Sequence, residues 1–63
     1  MTVIPELSSV ATALDELLDR VTAIAERVVG PEREAVTSEL LEVERVLCTA
    51  SRRLRRLIDA NRR

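Results

Sequence analysis

The sequence predicts an all-α protein, an antiparallel two-helix hairpin of coiled-coil type dimerising into a four-helix bundle. Three observations carry that expectation. Apolar residues recur at alternating spacings of three and four through both halves of the chain. A single Gly-Pro pair, Gly30-Pro31, separates the halves. Each half carries more apolar surface than a hairpin can cover, which is unusual for a soluble monomer.

The first helix is expected at about residues 5 to 29. Its seam runs Leu7, Val10, Leu14, Leu17, Val21, Ile24 and Val28, an unbroken heptad a/d pattern. The turn falls at 29 to 32, Val29-Gly30-Pro31-Glu32. Gly30 suits the left-handed residue just past a helix end, and Pro31 suits the first position of the next helix, where its missing N–H costs nothing. The second helix is expected at about 31 to 61, with the seam Val36, Leu40, Val43, Leu47, Ala50, Leu54 and Leu57. So short a connection makes the helices antiparallel neighbours within one domain, residues 1 to 63. Folding about Gly30 sets Ile24 opposite Val36, Leu17 opposite Val43, Leu14 opposite Leu47 and Leu7 opposite Leu54, with every layer apolar.

Beside these seams stand Ala11, Leu18, Ala25 and Val29 on helix 1, and Leu41, Val46, Cys48 and Ile58 on helix 2. They are the expected dimer or partner interface. A chain of 63 residues is marginal as a monomer. One cysteine excludes an intramolecular disulfide, and the absence of histidine removes the usual zinc site, so association is the remaining staple. A homodimer is favoured because a twofold axis lets one patch cover itself; a helix of a different protein is the alternative occupant. Cys48, on this flank, reads as a buried apolar thiol.

Charge divides the chain. Residues 1 to 44 hold ten acids and three arginines, whereas residues 45 to 63 hold seven arginines and one acid. Stacking two hairpins with their turns at opposite ends sets each basic end beside the acidic turn of the other, which favours that orientation. Within RRLRRLIDANRR the residues Leu54, Leu57 and Ile58 belong to the core. Arg52, Arg53, Arg55, Arg56, Arg62 and Arg63 are candidate contacts for nucleic acid or an acidic partner, or a solvated helix end in which Asp59 pairs with Arg55, Arg56 or Arg63.

Most function classes lack their residues. No histidine, lysine or tyrosine is present to act as a base, and the carboxylate pairs lie on exposed helix faces, so neither catalysis, a cofactor, a metal nor a small-molecule substrate is expected. Phe, Tyr and Trp are absent, which removes both the stacking platforms of single-strand binders and the anchors of membrane-surface helices. No apolar run suits a transmembrane helix, and MTVIPELSSV does not read as a signal peptide, so a cytoplasmic location is expected. The expected function is a small non-enzymatic homodimeric interaction module, a regulatory adaptor or scaffold binding another protein. The alternative is a regulator that binds structured RNA or duplex DNA through the arginine tract.

Overall fold

The structure is a computed structural model that describes residues 3–62. Two helices, α1 at Val3–Arg27 and α2 at Arg33–Ala60, pack against each other along a rod of 51 × 14 × 11 Å. No strand occurs among the described residues. Helix α1 starts two residues earlier than expected because Pro5 sits in the first turn, whose N–H groups have no intrahelical acceptor to lose. Glu6 in that turn and Arg27 in the last turn each complement the helix dipole.

The connection is longer than the sequence suggested. Past Arg27 the Val28 N–H bonds back to the Ala25 carbonyl at 3.4 Å, and Gly30 turns the chain with φ of 100°. Pro31 then occupies the second position of a β-turn closed by the Arg33 N–H on the Gly30 carbonyl at 3.1 Å, with Glu32 at φ −94°, ψ 5°. Pro31 therefore belongs to a turn ahead of α2, not to its first helical position. At the far end the last turn of α2 carries no arginine; Asn61 caps it, its side-chain amide donating to the Leu57 carbonyl at 2.8 Å.

The helices meet one residue later in the heptad than the apolar count implied. The buried or half-buried positions of α1 are Ile4, Leu7, Ala11, Leu14, Leu18, Val21 and Ala25, joined by Asp15 and Thr22 and followed by Val28 just past its end. Those of α2 that continue the pattern are Thr37, Leu40, Glu44, Leu47, Ser51, Leu54 and Ile58. Half of each expected seam is thus retained. Val10, Leu17 and Ile24 are instead 49, 46 and 45% exposed, and Val36, Val43, Ala50 and Leu57 are exposed opposite them. The interface is also not apolar in every layer. Thr22 donates to Glu44 at 2.6 Å and Ser51 donates to Asp15 at 2.8 Å. These bonds also move the register, since Asp15 reaches Ser51 where Leu14 was expected to face Leu47.

The resulting core is thin. Ala11 and Ile58 are the only buried hydrophobic side chains among the described residues, and no large side chain is fully enclosed. The surface area is 5216 Å², against about 4,100 Å² for a compact monomer of this mass.

Candidate interaction face

Two opposite faces flank the line where the helices meet. In an antiparallel pair, positions one residue before the contact line on each helix fall on the same side of the hairpin, because the reversal of chain direction reverses the sense of rotation. That places Val3, Val10, Leu17 and Ile24 of α1 beside Val36, Val43, Ala50 and Leu57 of α2. Val3 and Leu57 do share one shallow depression, together with Ile4, Leu7 and Asn61. Between the two stripes lie the half-buried Leu7, Leu14, Val21, Leu40, Leu47 and Leu54. The side is apolar along the full rod.

The other side is polar. Ser8, Thr12, Arg55, Asp59 and Arg62 line a depression over Ala11 and Ile58. Arg55 crosses from α2 to pair with Asp15, which also accepts the bond from Ser51. Hydrogen bonding by Ser51, then by Arg55, holds the Asp15 carboxyl below its ordinary range. Within α2, Arg45 grips Glu42 with two bonds, at 2.5 and 3.0 Å; that hydrogen bonding holds the Glu42 carboxyl below its ordinary range and raises the Arg45 guanidinium.

The expected interface residues are consequently divided. Ala11 and Ile58 are buried between the helices, with Leu18 and Ala25 half-buried beside them. Leu41, Val46, Cys48 and Val29 are exposed. Cys48 is an exposed free thiol, not a buried one; it lies one heptad before Arg55 and so on the polar side. Leu41 precedes it by another heptad. Val46 flanks the apolar side, sharing a depression with Ala50 and Arg53. The residues that dominate the apolar side, Val10, Leu17, Ile24, Val36, Val43 and Leu57, were counted as hairpin core from their spacing, so the signal was read but assigned to the wrong contact.

The arginines do not form one cluster. Arg52, Arg55 and Arg56 line a depression with Thr49 and Asp59 on the outside of α2, whereas Arg53 faces the Val46 side. Asp59 pairs with Arg62 at 3.6 Å; of the partners expected for it, Arg55, Arg56 or Arg63, Arg55 pairs instead with Asp15. Arg63 lies outside the described residues. No group of His, Cys, Asp or Glu suited to a metal ion occurs among the described residues, and neither helix is long and apolar enough to cross a membrane. No protein-family model, curated protein or solved structure matches the chain.

Proposed function

We propose that this chain is a non-enzymatic interaction module whose hairpin pairs with a second copy through its apolar side, giving a four-helix bundle that acts as an adaptor or scaffold. The observation that carries the reading is the continuous apolar side itself, from Val3 and Leu57 at one end to Ile24 and Val36 at the other. Its length equals that of the hairpin, so a second hairpin covers it end to end. The excess of roughly 1,100 Å² over a compact monomer exceeds the ~800 Å² per partner of an ordinary stable interface. In such a bundle the heptad seams read from the sequence point at the common centre, which explains why the a/d pattern is faultless although the hairpin uses only one edge of it.

The arginine tract supports the alternative, a nucleic-acid-binding regulator. Two of its arginines, Arg55 and Arg62, already face carboxylates of their own chain, which favours the bundle reading.

Leu17→Glu tests it. Leu17 is 46% exposed on the hairpin, so a charge there is tolerable in the monomer and intolerable at a bundle centre. The variant is expected to sediment as a single chain where the parent sediments as two, while Ser9→Glu, an exposed position behind α1, leaves the parent mass unchanged. A Leu17→Glu protein that keeps the two-chain mass overturns the proposal.

A further inference from the structure

The back of α2, the surface furthest from α1, differs in kind from the apolar side. Thr49 stands about half a turn around the helix from the contact residues Leu47 and Ser51. It lines two shallow depressions at once, one with Arg45 and Arg53, the other with Arg52, Arg55 and Arg56. All five arginines are exposed, and Thr49 between them is half-buried although it faces outward. Two of the five are occupied: Arg45 holds Glu42, and Arg55 reaches across to Asp15. Arg52, Arg53 and Arg56 pair with no carboxylate among the described residues.

The extent of this face decides what fits it. From Arg45 to Arg56 the helix rises about 16 Å. Carboxylates close it at both ends, Glu42 before Arg45 and Asp59 after Arg56, the latter in the same depression as Arg52. Behind it, residues 1 to 44 hold ten acids against three arginines. A duplex or a folded RNA continues its charge in both directions, and a protein that holds it well neutralises about 6–10 phosphates. Three unpaired arginines bounded by acids fall short of that. A short acidic segment of another protein can end where the arginines end.

The conformation of that segment follows from the surface. This part of α2 is continuous helix, so its backbone groups are bonded within it and none is left for an extended strand. A helix surface instead accepts a second helix alongside, at about 8–10 Å between axes. Arg52 and Arg56 are four residues apart, a rise of about 6 Å, and carboxylates four residues apart on the second helix present the same spacing. Each guanidinium can hold a carboxylate through two parallel N–H donors, which fixes the geometry as well as the charge.

We infer that the back of α2 docks an acidic helix of a partner protein, whose carboxylates four residues apart engage Arg52 and Arg56, with Arg53 beside them. The face is present on a single hairpin and lies outside the apolar side, so it does not depend on self-association.

The probe is a fluorescein-labelled, alanine-based peptide of about 20 residues, with glutamates four residues apart along one face; a second peptide carries glutamine in their place. The glutamate peptide is expected to bind the parent chain at low salt and to weaken as salt rises. On Arg52→Gln/Arg56→Gln its binding is expected to fall about tenfold, the loss of two exposed ion pairs. Arg20→Gln/Arg33→Gln removes the same charge at exposed positions away from the face and is expected to bind as the parent does. Equal losses in the two double variants would reduce the face to a net-charge effect and overturn the proposal. So would equal binding of the two peptides, or no binding of the glutamate peptide. A DNA duplex of about 20 base pairs that binds the parent more tightly than the peptide, and loses that binding in Arg52→Gln/Arg56→Gln, would overturn the acidic helix in favour of nucleic acid. Light scattering on Arg52→Gln/Arg56→Gln is expected to give the parent's mass, so a failure of the docking face is told apart from a failure of the bundle.

Discussion

Asp15 accepts hydrogen bonds from Ser51 and Arg55, and those two contacts tie the middle of α1 to the C-terminal half of α2. Because they lower the folded-state carboxyl below its unfolded value, their contribution is complete above the unfolded range near pH ~4. It is lost as the pH falls through the lower, folded value. Acid unfolding followed by circular dichroism is therefore expected to show a steeper loss for the parent than for Asp15→Asn, which should also be less stable at neutral pH. Equal acid profiles would mean that the crossing contact contributes nothing. None of this was legible beforehand. Neither Asp15 nor Thr22 stands out in the apolar spacing, since a helical period marks which positions are apolar and not which polar side chains find a partner.

At the scale of elements, the punctuation was readable and its details were not. Gly30 takes the positive φ expected of the residue that ends α1, because any other residue pays for the Cβ there. A Cβ built on Gly30 meets no atom within 4 Å, so Gly30→Ala isolates the backbone term of about 1–2 kcal/mol. A melting point lower by about 5–10 °C is expected; an unchanged one would show that the turn relaxes without strain. Pro31 was placed one step too far into helix because its fixed φ suits both a helix start and the second residue of a β-turn. Rotation of the helices followed the same logic. Leu7, Leu14, Val21, Leu40, Leu47 and Leu54 belong to the contact on either reading, while Val10, Leu17 and Ile24 gave way to Ala11, Leu18 and Ala25. Spacing locates the centre of an apolar face and is silent on which edge of it the neighbouring helix takes.

For the whole molecule, the balance between a thin core and a broad apolar side decides the behaviour. Ala11 and Ile58 alone are buried apolar residues, whereas ten large ones, from Val3 to Leu57, stay substantially exposed among the described residues. A hairpin of this kind gains more from covering that side than from its own interior. The polar side, with its Asp15–Arg55 and Asp59–Arg62 pairs, remains in water in the proposed bundle and keeps Arg52 and Arg56 open to an acidic partner. The measurement that bears most directly on the account is the solution mass of the parent chain by light scattering, over a range of concentrations at low and high salt. The account predicts two chains in both salts, because apolar burial supplies the affinity. A one-chain mass that stays folded at all concentrations would contradict it.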